Sequence, residues 1–221
     1  MLLNLLRSGD FSTAMLSLLL TLPTILISLS LHEAAHGYIA YKCGDPTAKA
    51  LGRLTLNPLK HLDPIGTVLM LLTGYGWAKP VPVNTRYFKN PKKGMALTAL
   101  AGPMMNLILG LFGALVYAML NRFFGSYDSN LVIAAILFFY YFALINVTYA
   151  VFNLIPLPPF DGSRVLLLFL PTKWYFSIMK YERVIMIVIL IGMASGYFWT
   201  PIQWIADKLL YLFMKLAFLI F

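Results

Sequence analysis

The chain has 221 residues, 60% of them hydrophobic and only 11% charged, with a mean hydropathy of +0.79; soluble domains carry about 25% charged residues, so a water-soluble fold is excluded. The net charge of +9, from 17 Lys and Arg against 8 Asp and Glu, reads in so apolar a chain as basic residues gathered in cytoplasmic loops rather than as a nucleic-acid surface. One cysteine, Cys43, excludes an internal disulfide and a Cys-rich metal cluster.

The expected architecture is an all-α polytopic membrane protein. Its length allows five to six transmembrane helices of about 20 residues each, with a small β or re-entrant element on the cytoplasmic side. A single membrane-embedded domain covers residues 1–221, with its core at 11–170 and C-terminal helices at 181–221. Residues 1–10 form a partly apolar lead-in. No small-x-small cleavage site follows the first apolar run, which is therefore read as a retained span. From residue 11 to 42 only Pro23 argues against helix. Such a helix is about 48 Å long, so it must tilt, kink at Pro23 or emerge into water. Cys43-Gly44-Asp45-Pro46 is its stop signal.

Residues 45–94 are basic: Lys49, Arg53, Lys60, Lys79, Arg86, Lys89, Lys92 and Lys93 face only Asp45 and Asp63. The positive-inside rule places this stretch in the cytoplasm and the N-terminus outside. Within it, residues 50–56 alternate enough for a short strand. Residues 65–72 are apolar but too short to span, which predicts a re-entrant or interfacial segment. Alternating prolines force residues 74–84 to be extended. A second span is expected at 94–120 and a third at 131–152. Three prolines then break the chain before Asp161. A short apolar piece follows at 165–170, and the last two candidate spans are 184–199 and 202–221, the second interrupted by Asp207 and Lys208.

The chemistry concentrates at His32-Glu33-Ala34-Ala35-His36, which holds two of the three histidines. On a helix the two imidazoles project from one face, one turn apart. They can hold a zinc ion, and the intervening Glu33 can serve as base. A chance match, or histidines that merely bond neighbouring helices, is the bland alternative. A charged group near the bilayer centre costs about 2.5–3.5 kcal/mol, which favours a functional motif. By helical rise His36 lies about 9 Å, and His32 about 15 Å, below Lys42, so the site is expected towards the cytoplasmic side.

Catalytic zinc needs a third protein ligand. A third histidine six residues after His36 would fall on Lys42, which excludes the metzincin pattern. His61 and Asp63 are candidates in the basic loop, where a solvated or capping role is the simpler reading. Asp161 is the better candidate, because a buried carboxylate needs a partner or a metal. Asn153 fits either inter-helix hydrogen bonding or donation to a substrate carbonyl or oxyanion. For Asn106 the structural reading leads. Gly102-Pro103 permits close helix approach.

His-Glu-Ala-Ala-His at 32–36, Ala-Gly-Pro-Met-Met-Asn at 101–106 and Asn-Leu-Ile-Pro-Leu-Pro-Pro-Phe-Asp-Gly at 153–162 resemble the site-2 protease family of intramembrane zinc metalloproteases (M50-type). Gly-Trp-Ala-Lys-Pro-Val-Pro-Val-Asn at 76–84 is similar to the compact prokaryotic branch without PDZ or CBS domain. The likeness covers about residues 15–170. It implies one zinc per chain on His32, His36 and Asp161, with Glu33 as base and Asn153 in substrate handling. Ala35 and Ser163 depart from glycines common in the family and remove no ligand.

The expected function is therefore hydrolysis of peptide bonds in or near transmembrane segments of single-pass membrane proteins. The expected location is a multi-pass position in the plasma or inner membrane. Residues 75–84 are expected to pair with unwound substrate by strand addition. A zinc or proton transporter is an alternative, although transporters tend to carry inverted repeats and none is visible. An inactive membrane scaffold is a third reading.

Overall fold

The computed structural model describes residues 11–73, 76–194, 196 and 199–221. The expected lead-in at 1–10, and Gly74 and Tyr75 of the extended stretch, lie outside the described residues. Four helices come first: α1 (Phe11–Lys42), the single turn α2 (Thr47–Ala50), α3 (Pro64–Thr73) and α4 (Pro91–Phe124). Then follow α5 (Asn130–Asn153), the short α6 (Asp161–Val165), α7 (Thr172–Met179), α8 (Glu182–Ala194) and α9 (Trp199–Ile220).

The stop of α1 is a Schellman turn. Gly44 takes φ +109°, a conformation that costs a side-chain-bearing residue but not glycine. Asp45 N–H then reaches the Ala40 carbonyl and Gly44 N–H the Tyr41 carbonyl. α4 starts earlier than residue 94 because Asn90 accepts a hydrogen bond from Lys93 N at 3.1 Å and Pro91 occupies the first turn, where a missing N–H costs nothing.

α1 packs on α4 and α5, and α4 packs along α5. In a bilayer, lipid competes for apolar surface as well as protein does, so helices associate through close backbone approach. Gly110, Ala114 and Ala118 form such a stripe on α4, one turn apart. A Cβ on Gly110 would sit 2.8 Å from a Val147 methyl, and one on Gly113 2.9 Å from the Ala143 nitrogen. Ile202, Ala206, Leu210 and Ala217 of α9 close the same core.

One expectation, the strand at 50–56, is corrected. Among the described residues three helices are long and apolar enough to cross a membrane: α4, α5 and the Met15–Lys42 part of α1. At 13 residues α8 reaches only about 20 Å. α9 has the length, but Asp207, Lys208 and Lys215 make it amphipathic. Residues 50–56 form no strand. Turn bonds such as Arg53 N–H to the Ala48 carbonyl consume that backbone. Among the described residues β pairing is limited to one isolated bridge, Leu62 with Ala78. Residues 65–72 do form a helix too short to span, within the ten residues of α3.

Gly113→Ala should destabilise the bundle by about 1–3 kcal/mol, as overpacking does. The exposed Leu97→Ala on the same helix should change it by under about 0.5 kcal/mol. SDS titration in mixed micelles measures both.

Candidate metal centre

His32 and His36 are buried on α1. Their rings meet edge to face with centroids 4.6 Å apart. What brings a helix backbone against them is Gly102: a Cβ there would lie 2.5 Å from His32 Nε2. No larger residue leaves room for both rings beside α4. Pro103 follows, depriving the Ala99 carbonyl of its helical donor and loosening that turn.

The distal nitrogens are pinned. His36 Nδ1 lies 2.7 Å from the Thr98 carbonyl oxygen, and His32 Nδ1 lies 2.5 Å from Asn106 Oδ1. Both oxygens can only accept, so both Nδ1 atoms carry a proton, and in the neutral rings both Nε2 atoms present lone pairs.

Asp161 arrives from the far side on α6. The proline-broken segment before it is anchored by Phe160, which is buried and packs against Phe152 at 4.4 Å between centroids. Ser163 Oγ donates to the Phe160 carbonyl at 2.7 Å, so this serine closes the turn that presents the carboxylate. Asp161 Oδ2 stands 3.2 Å from each histidine Nε2, and the two Nε2 atoms are 3.0 Å apart.

Three lone-pair atoms thus converge with their protons directed elsewhere, an arrangement that a cation satisfies. Tetrahedral zinc with bonds of about 2.0–2.1 Å separates its ligands by about 3.3 Å. The observed separations and the N,N,O donor set fit it. Hydrogen-bonded distal nitrogens are also the usual outer shell of zinc-bound histidine.

Glu33 is buried, and its Oε2 accepts from Val81 N–H at 2.9 Å. Pro80 and Pro82 flank Val81 and have no N–H of their own. The strap that carries Val81 is tied down elsewhere too. Arg53 Nη2 donates to the Lys79 carbonyl at 2.8 Å, and Asn84 N–H donates to Asp45 Oδ2 at 2.6 Å. Asp45 is fully buried and also binds Thr47 N–H.

The other sequence candidates lie elsewhere. His61 Nε2 bonds the Thr55 carbonyl at 2.8 Å. Asp63 Oδ1 accepts from Gly66 N–H, capping α3. Asn153 donates to the Tyr149 carbonyl at 3.1 Å within its own helix. Asn106 has both ends of its amide committed, Oδ1 to His32 and Nδ2 to Asn146 Oδ1 at 2.9 Å. Sequence reading missed Asn146 and the Val81 N–H. For Asn146 the signal was available, since an amide within an apolar span is costly unless bonded. The Val81 bond is a backbone contact and leaves no mark in the residue type. An apolar cavity of about 560 Å³ opens between α1 and α4. Leu31, Ala35 and Tyr38 face Met104 and Ile108 across it, and none of the clustered ligands line it.

Peptidase family M50 matches residues 123–198, a stretch containing Asn146, Asn153 and Asp161. YwhC of Bacillus subtilis, named as a candidate zinc metalloprotease, is 46% identical over 143 residues, covering 65% of each chain. Rip2 of Mycolicibacterium smegmatis, named likewise, is 33% identical over 147 residues, covering 64% of this chain and 53% of that protein. Rip2 of Mycobacterium tuberculosis (strain H37Rv) is 27% identical over 192 residues, covering 82% and 71%. The chain spans less than two thirds of the length of the first two of these relatives. No solved structure matches it.

Asp161→Ala and His36→Ala should each lower bound divalent metal in the purified protein by at least about tenfold, since loss of even an outer-shell partner costs 10–100-fold. Asn153→Ala should leave metal content unchanged. Elemental analysis by mass spectrometry reads all three.

Proposed function

We propose that the chain is a member of peptidase family M50, the site-2 protease family, and an intramembrane zinc metallopeptidase that hydrolyses peptide bonds in or beside the transmembrane segments of membrane proteins. The observation that carries this reading is the convergence of His32 Nε2, His36 Nε2 and Asp161 Oδ2 within 3.2 Å, with Glu33 next to His32 in sequence and held by Val81. We assign His32, His36 and Asp161 as ligands of one zinc ion and Glu33 as the base. Zinc at these residues supplies a Lewis acid that polarises a peptide carbonyl and makes water acidic enough to attack near neutral pH.

The chain's own groups do the remaining work. The Val81 N–H engages Glu33 Oε2 and fixes the carboxylate, so Oε1 is the atom assigned to take the proton of the attacking water and return it to the leaving amine. Asn106 orients His32. Asn153 lies eight residues before Asp161, and its bond to Tyr149 is local and exchangeable, so it is kept as the amide for substrate contact.

A substrate helix must unwind before its carbonyls can be reached. The strap at 76–84 is the edge proposed to receive the unwound segment. Val81 N–H is committed to Glu33 and Asn84 N–H to Asp45, so Val83 supplies the donor for pairing. Single-pass membrane proteins are the proposed substrates. The basic residues between 49 and 93 support a site near the cytoplasmic face of the plasma or inner membrane.

Glu33→Gln should retain stoichiometric zinc and lose cleavage of a model transmembrane substrate by about 10²–10⁴-fold, the usual contribution of general acid–base catalysis. Val83→Pro should impair cleavage while Val83→Ala does not. Cleavage by Val83→Pro at the wild-type rate would rule out strand pairing at that residue.

A further inference from the structure

Asn146 lies on α5, one helix removed from the metal centre, and is fully buried. It terminates a chain of directional hydrogen bonds. Asn146 Nδ2 donates to the Phe142 carbonyl at 2.9 Å. Asn106 Nδ2 donates to Asn146 Oδ1 at 2.9 Å, and Asn106 Oδ1 meets His32 Nδ1. An amide has a donor end and an acceptor end, and either amide alone could turn over. The Phe142 carbonyl cannot, because it is backbone and only accepts. It forces the amino end of Asn146 towards itself, which turns the oxygen of Asn146 towards Asn106. That orients Asn106 in turn, so that its oxygen faces His32. Both amides are fully buried, so water cannot compensate for a reversed orientation, and each reversed contact would set like against like.

We infer that Asn146 is a positioning residue that holds His32 in its Nδ1–H tautomer through Asn106, keeping the Nε2 lone pair directed at the metal. The inference rests on the zinc reading above and adds a residue on a third helix. Without Asn146 the Asn106 amide is free to turn over and present its amino group to His32 Nδ1. The proton then moves to Nε2, where it competes with the metal.

The test uses the full chain, purified in nanodiscs, with zinc affinity measured by chelator competition. Asn146→Leu, similar in size and unable to bond, should weaken zinc binding by about 10–100-fold, as loss of an outer-shell partner does. Adding Asn106→Asp to that variant should recover most of the loss, because a carboxylate accepts from His32 Nδ1–H whichever way it is turned. A purely structural role for Asn146 predicts no recovery. Nitrogen-15 solid-state NMR of histidine-labelled, metal-free wild type gives a second reading that needs no variant, and His32 should be protonated at Nδ1. Wild-type zinc affinity in Asn146→Leu, no recovery in the folded double variant, or a wild-type His32 protonated at Nε2 would each overturn the inference. A wild type that binds no zinc would instead overturn the metal reading itself.

Discussion

Two imidazole nitrogens and a carboxylate oxygen, all presenting lone pairs, stand 3.0–3.2 Å apart in a membrane protein poor in charge. Much of the fold can be understood as what makes that crowding tolerable. Both distal nitrogens are pinned by oxygens that only accept, so neither neutral ring can relieve the repulsion by exchanging its tautomer. The arrangement is stable when a cation sits among the three atoms. The bundle around it is built from small residues, because Gly102, Gly113 and the Gly110–Ala114–Ala118 stripe along α4 let helices come close enough to hold the rings rigidly.

The basic loop is part of the same construction. Asp45 gathers the turn after α1 and the end of the strap, and Arg53 grips the middle of the strap. Between these ties the one N–H of the Pro80-Val81-Pro82 triplet reaches Glu33. The prolines are useful here for what they lack, since they leave a single donor aimed at the carboxylate and keep the segment extended. A loop that carries several lysines is thereby connected mechanically to the residue assigned as base.

Much of this was legible beforehand. The helix carrying both histidines, its stop at Gly44 and the extended strap all follow from local chemistry: helical spacing, a left-handed cap and proline. The distal carboxylate was legible too, because Asp161 is an acid stranded in an apolar half of the chain. The span count was less legible. Hydropathy sums the length and composition of a segment, and α8 and α9 are apolar enough to resemble spans, while α8 is short and α9 carries Asp207, Lys208 and Lys215. The strand expected at 50–56 failed because alternation is a weak signal over seven residues, and turn bonds back to Thr47 and Ala48 took its backbone.

The sequence by itself determined which atoms could bind a metal and that they lie in a membrane-spanning chain, since residue type and helical period are local properties. Tertiary structure alone decided that Asp161 reaches both histidines, that Val81 holds Glu33, and that Asn146 and Asn106 set the direction of the His32 ring. Those contacts join residues from 40 to more than 120 positions apart. Hydrogen bonds and close approaches at that range depend on how helices cross, and helix crossing is set by the packing of small residues that no local pattern encodes.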